Sequence, residues 1–329
     1  LTYSIIFFIV SGPALPDLIS TLAAVYFLYK ILKNKILNEN LFFIIFSFLL
    51  ILIPNFFSDY FPYPFIEQLV NIRYFLFALF IASLAQLKLK MIINLILICT
   101  LFISFDMIFQ YIFKVNIFGI SIDPTHSSSR ASSLFRDELI AGTFILKFSF
   151  PVIGYYIFHK KYLIAFSLIN IFFISIIFSG ERMALILFGF GLFILSFLIK
   201  DIKKIILVAL TLIIILFSSY FIFDRFKLRV DTFFLTLGLK NEKFSDYGHG
   251  AHFMTAYEIF KNNKVFGTGH KTFRISCDLD EIKKNIDSKS PGCSTHPHNN
   301  YLEMLSDSGL FGFFGFILFA SFLIIKAMK

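Results

Sequence analysis

"YLIAFSLINIFFISIIFSGERMALILFGFGLFILSFLIKDIKK", residues 162–204, is two apolar runs set back to back. Residues 162–178 and 183–199 are divided by Ser179-Gly180-Glu181-Arg182 and closed by a basic cluster at 200–204. Each run approaches the roughly 20 apolar residues with which a helix crosses a bilayer. In lipid, a helix is the form of such a run that satisfies every backbone group internally. The stretch therefore reads as a helical hairpin across a membrane.

Working outward, comparable runs fall near 13–32, 41–57, 65–87, 91–109, 139–158, 205–223 and 305–325, which makes nine spans. Composition agrees, since 57% of the 329 residues are hydrophobic and only 16% charged, with a mean hydropathy of +0.80. Residues 1–10 are apolar but too short, and break at Ser11-Gly12-Pro13; they read as the stump of a tenth, truncated span. They lack the basic leading region and cleavage site of a secretory signal. The expected fold class is all-α: a polytopic helical membrane protein of about nine to ten spans with one large, mainly helical outer loop.

The net charge of +9 would suit nucleic acid if it were gathered in one patch. Instead the basic residues sit in alternate loops: Lys30, Lys33 and Lys35; Lys88 and Lys90; His159 to Lys161; Lys200 to Lys204; Lys326 and Lys329. That is a membrane-orientation signal, and it places those loops in the cytoplasm. The outer segments are then 110–138, 179–182 and 224–300. This gives an expected division into a bundle at 1–223, a periplasmic loop at 224–300 and a re-entering span at 301–329.

Five of the seven histidines lie in the long outer segment: His249, His252, His270, His296 and His298. Cys277 and Cys293 lie there too, on the side where disulfides persist, and a bridge would contribute about 3 kcal/mol. Two free thiols are the alternative. "GAHFMTAYEIFKNN" sets Phe253, Ala256, Tyr257 and Phe260 on one face of a helix, followed by a loop at "FGTGHKTFR". In "HNNYLEMLSDSG" helical spacing puts His298, Leu302, Leu305 and Gly309 on one face, so that His298 points inward, with Glu303 and Asp307 on another. Gly309, Gly312 and Gly315 then form a small-residue stripe for a neighbouring helix.

"STHPHNNYLEMLSDSGLFGFFGF" (294–316), "NNKVFGTGHKTFR" (262–274), "SGERMALILF" (179–188) and "RASSLFRDELIAGTF" (130–144) together resemble the O-antigen ligase and O-antigen polymerase family, over about Arg73 to Leu323. The resemblance implies an inner-membrane, multi-pass glycosyltransferase with a periplasmic active site. Such an enzyme moves a glycan from an undecaprenyl pyrophosphate carrier to a sugar hydroxyl, of lipid A core or of a growing glycan, in surface polysaccharide or lipopolysaccharide biosynthesis. No cofactor, metal or nucleotide sugar is implied, and no nucleic-acid partner.

By motif position the resemblance assigns the catalytic base to His298 and the pyrophosphate contact to Arg182. Histidine suits a base near neutral pH, and an arginine fork holds phosphate without losing its proton. Many members carry a second arginine at the start of the outer-loop helix. "GHGAHFMTAY" offers His249 and His252 there instead, which leaves His252 or Arg274 to replace it. The expected substrate contacts are Arg274, His252, His296, Asn299, Glu303 and Arg130; Arg136, Asp137 and Glu138 either join Arg130 at the donor or flank a span.

Two other classes fit parts of the sequence. A glycan flippase or transporter would carry working charges at the bilayer midplane, whereas Glu67, Arg73 and Asp106 lie toward the outer ends of their spans. A metal-dependent membrane hydrolase would use His249, His252, His296 and His298 as ligands, but their spacing matches no zinc signature.

Overall fold

The computed structural model describes residues 14–34, 39–122, 130–136, 138–199, 201–238, 246, 248–286 and 288–328. The apolar stump at 1–10, its break at 11–13, Lys35, Asp137, Lys200 and Lys329 lie outside the described residues. The helices are α1 (Ala14–Asn34), α2 (Glu39–Leu52), α3 (Tyr63–Val70), α4 (Ile72–Phe113), α5 (Ala141–Phe158), α6 (Tyr162–Ser179), α7 (Arg182–Ser196), α8 (Ile202–Ile222), α9 (Asp224–Gly238), α10 (Gly248–Asn262), α11 (Phe273–Ser276), α12 (Asp280–Lys284) and α13 (Asn300–Met328). Among the described residues there is no β-strand beyond one isolated bridge, Val115 to Ser121. The fold is all-α and polytopic.

Seven helical segments among the described residues are long and apolar enough to cross a membrane, and two shorter ones lie at Leu41–Phe57 and Arg182–Ser196. These coincide with the nine runs read from the sequence. One expectation is corrected. The backbone stays helical through Lys88 and Lys90, where a loop was expected, because α4 contains neither glycine nor proline to break it.

The chain packs as two compact units, Leu1–Ile19 with Ser83–Leu239, and Ser20–Ala82 with Lys240–Lys329. In the first, Ile103 and Met107 of α4, Ile145 and Val152 of α5, Phe172 and Ile176 of α6 and Phe188 of α7 are fully buried together. Asp106 and Gln110 pin the outer segment to the end of α4. Asp106 accepts from Ile117 N (2.9 Å) and Ser133 Oγ (2.5 Å), and Gln110 Oε1 accepts from Ser132 N (3.0 Å) and Ser133 N (2.7 Å). Ala131 N donates to Phe178 O at 3.3 Å, which brings Arg130 beside the C-terminal end of α6.

In the second unit the face of α10 read from the sequence is divided between core and surface. Ala256 and Ile259 enter a core with Phe273, Cys277 and Ile282, while Tyr257 is half exposed. Cys277 and Cys293 are joined as a disulfide across this core, with Cα atoms 5.2 Å apart. The glycine stripe is also divided. Gly315 packs on Ser47 and Leu50 of α2, but Gly309 is a kink within α13, with φ 60° and ψ −165°.

Loop 264–269 pairs with that kink mainly through backbone groups, joined by the Thr268 hydroxyl, which donates to Ser306 O at 3.3 Å. Thr268 N and Gly269 N donate to Ser306 O and Asp307 O (2.9 and 2.7 Å), and Leu310 N and Phe311 N donate to Lys264 O and Val265 O (2.8 and 3.1 Å). These bonds satisfy groups that the broken helix leaves unpaired. A Cβ on Gly309 would strike the Val265 carbonyl, and one on Gly267 the Asp307 carbonyl. Gly309→Ala is accordingly expected to cost about 2–4 kcal/mol, from left-handed strain plus overpacking against backbone. Thermal unfolding in detergent measures it, and an unchanged midpoint would mean that the loop does not seat there.

Candidate active site

The segment carrying His296 and His298 is fixed from four directions within the second unit. Cys293 is tied to Cys277. Gly292 lies against Thr255 of α10, closer than a side chain there would allow. The His252 ring donates through Nδ1 to Gly292 O at 3.1 Å, and Pro297 is buried. Beyond it Asn299 caps α13, its Oδ1 accepting from Tyr301 N and Leu302 N at 3.0 and 3.1 Å.

His298 therefore precedes the helix rather than lying on it. Its φ of 57° is left-handed, so the helical spacing that pointed it inward does not apply, and its ring is exposed. Around it the rings of His296, His249 and His252 stand at centroid distances of 4.2, 5.0 and 5.4 Å. Partial burial first, then the electrostatic influence of His296, His249 and His252, hold the His298 imidazole below the ordinary 6.5. The shift favours the neutral form of the ring, which can accept a proton. His296 Nδ1 is 2.9 Å from Thr295 Oγ1, and both His296 and Arg274 act electrostatically on the Glu303 carboxyl. His249, outside the expected contacts, completes the cluster. Among the described residues no group of three or more His, Cys, Asp or Glu side chains is arranged to hold a metal ion.

His270, unassigned by sequence, belongs to the scaffold beneath the glycine loop. Its N–H donates to Asn55 Oδ1 (2.7 Å), and its ring lies 3.0 Å from Asn71 Nδ2 and 3.8 Å from the Asp307 carboxylate. Burial, then the charge on Lys271, pushes its pKa down to about 4. Lys271 in turn pairs with Glu67 at 2.6 Å.

The second group of polar candidates lies in the first unit. Ser179-Gly180-Glu181-Arg182 forms the tight turn expected between α6 and α7. Gly180 closes α6 in the left-handed conformation, φ 66°, with its N–H on Ile177 O at 3.1 Å. Glu181 reaches the first turn of α5, accepting from Gly142 N (2.6 Å), Thr143 N (3.0 Å) and Thr143 Oγ1 (2.5 Å). Burial raises its carboxyl despite these donors. Arg182 opens α7, where the helix dipole is already positive. A cation there is locally unfavourable, and the pair of positive features attracts an anion.

Arg182 lines a cavity of about 470 Å³ whose walls include Ile177, Leu185, Ile213 and Phe217 and whose polar residues include Glu181, Tyr220 and Arg229. Arg229 was not singled out by sequence. Its signal is the four-residue spacing of Arg225 and Arg229 in "DRFKLRV" directly after a span. Of the expected contacts, Arg130 acts on this group electrostatically. His252, His296, His298, Asn299, Glu303 and Arg274 belong to the other unit.

Residues 166–317 match the family model described as O-antigen ligase. This segment belongs to the O-antigen ligase family. It includes the 179–182 turn, the cavity residues, the histidine cluster and the kinked start of α13, whereas the 130–144 motif precedes it. No curated protein and no solved structure matches the chain. The O-antigen ligase-family segment and the seven apolar helices make this a multi-pass membrane protein with a glycosyltransferase-like role in polysaccharide or lipopolysaccharide biosynthesis.

Proposed function

We propose that the chain transfers a glycan from an undecaprenyl pyrophosphate carrier to a sugar hydroxyl, at the periplasmic face of the inner membrane. The observation that carries this reading is His298: an exposed imidazole, its pKa held below the ordinary value, in a fixed segment that matches the O-antigen ligase family. In the proposed step His298 takes the hydroxyl proton as the oxygen attacks the anomeric carbon. The bond from that carbon to the phosphate oxygen breaks, and its electron pair leaves on undecaprenyl pyrophosphate. Arg182 binds that diphosphate and stabilises the charge it gains. The acceptor is lipid A core or a second glycan, and Arg274, Glu303, His296 and Asn299 are proposed to contact sugar.

Two experiments test this directly. Purified protein given the lipid-linked donor and an acceptor should form product, and should keep forming it in chelator; activity lost to chelator and restored by zinc would instead favour the hydrolase. For orientation, in a background lacking Cys99, Asn262→Cys should react with a membrane-impermeant thiol reagent in intact spheroplasts, and Asp201→Cys should not. The opposite labelling would put the proposed active site in the cytoplasm, away from the periplasm.

A further inference from the structure

We propose that Asp307, a carboxylate buried within the last apolar helix, is a positioning residue for the histidine segment: it clamps the turn that opens α11 onto α13, and so sets the frame in which His298 is held. The functional part of this rests on the transfer reading, through the role given there to His298.

The clamp is made by backbone N–H groups. Asp307 is 1% exposed and lies within the apolar segment Asn300–Ile325, where a carboxylate is costly and marks a functional position by default. Alternate residues of the incoming loop end on it. Its main-chain oxygen accepts from Gly269 N at 2.7 Å, and its carboxylate accepts from Lys271 N at 2.8 Å, with a further backbone contact from Phe273 N. Lys271 is left-handed, φ 60°, without being glycine, so the turn is held against the preference of its own backbone. The His270 ring does not compete for the carboxylate. Asn71 Nδ2 can only donate, so His270 Nε2 accepts from it at 3.0 Å and the ring proton sits on Nδ1, 3.8 Å from Asp307 and beyond hydrogen-bond reach.

The frame follows from what is attached to each side of that clamp. Phe273 opens α11, and Cys277 at its end is bonded to Cys293. Asn299 caps the start of α13. Residues 294–298 therefore hang between one end carried by α11 and another carried by α13, and the register of those two helices sets where His298 stands. Leu302 of α13 packs on the core that contains Phe273 and Cys277, but apolar contact is non-directional. The hydrogen bonds that end on Asp307 are directional, and they fix the register. Of the two carboxylate oxygens, Oδ2 takes the Lys271 bond and Oδ1 has no hydrogen-bond partner among the described residues. An amide could therefore hold the same turn, whereas a methyl group could not.

The test uses the full chain in zwitterionic nanodiscs. In steady-state transfer Asp307→Ala should lower kcat on the order of a hundredfold, the loss that a displacement of about 1 Å can bring. Donor KM should stay as it is, because the proposed diphosphate contact, Arg182, belongs to the other unit. Asp307→Asn should retain most of the activity. Hydrogen exchange read by mass spectrometry gives a measurement without substrate: amides of 271–277 and 294–302 should exchange on the order of tenfold faster in Asp307→Ala than in wild type, and at the wild-type rate in Asp307→Asn. Asp307→Ser, too short to reach Lys271 N, carries both measurements should the alanine variant fail to insert. Unchanged exchange at 294–302 in an inserted alanine or serine variant overturns the proposal. So does faster exchange with wild-type kcat, or an asparagine variant as impaired as the alanine one. If the wild-type chain transfers nothing while exchange responds as expected, the transferase reading falls and the clamp stands.

Discussion

Replacing His298 with alanine is expected to lower the rate of glycan transfer by about a hundred- to ten-thousandfold, the range that a positioned proton acceptor supplies. Carrier binding should persist, because the base acts on the acceptor's proton. The variant should also insert and fold: the ring is exposed, and the segment is held by the disulfide, Pro297 and the Asn299 cap rather than by His298. The pH profile gives the role a second signature. A base must be unprotonated, so activity should fall as pH drops through the His298 pKa, which lies below 6.5. His249→Asn removes one of the neighbours that lower it electrostatically, and should move the limb of kcat/KM toward higher pH. Near-normal transfer by His298→Ala, or a profile indifferent to His249, would return the cluster to a structural corner at the membrane edge.

What the sequence disclosed was what is local. Run length located the apolar helices, including the short hairpin arm at α7, and the polar turn at 179–182 because a four-residue interruption between two apolar runs has few other solutions. Asn299 was a readable helix start, since asparagine before a helical run favours the cap, and reading it so would have left His298 outside the helix. The kink at Gly309 was not readable. Its cause is a strand of backbone some 40 residues earlier, and backbone pairing between 264–269 and 306–311 leaves no side-chain pattern. Arg229 was hidden for a related reason. On a linear reading it is one cation in a polar helix, and only the return of α9 over the α6–α7 turn, fixed by the Phe223 contacts, gives Gly180 and Arg229 anything to do with one another.

Arg182→Ala is expected to reduce kcat/KM for the lipid-linked donor by about a hundred- to a thousandfold, with the loss shared between KM and kcat. The division follows from when the charge develops. The carrier's diphosphate is already anionic on binding, so a charge-assisted contact supports KM; it gains further charge as the glycosidic bond breaks, and only the additional stabilisation raises kcat. Arg182→Lys should recover part of both, since a point charge attracts the diphosphate but cannot reproduce the planar fork. The effect should exceed that of Arg274→Ala, whose exposed guanidinium is partly screened by water. A helix-end arginine that merely reaches for the interface predicts something else: less protein in the membrane, and unchanged constants for what remains. Measuring kcat and KM at matched membrane levels separates the two. If Arg182→Ala kept the wild-type donor KM and kcat, neither the positive helix start at α7 nor the cavity beside it would be the donor site, and the diphosphate would have to be bound elsewhere.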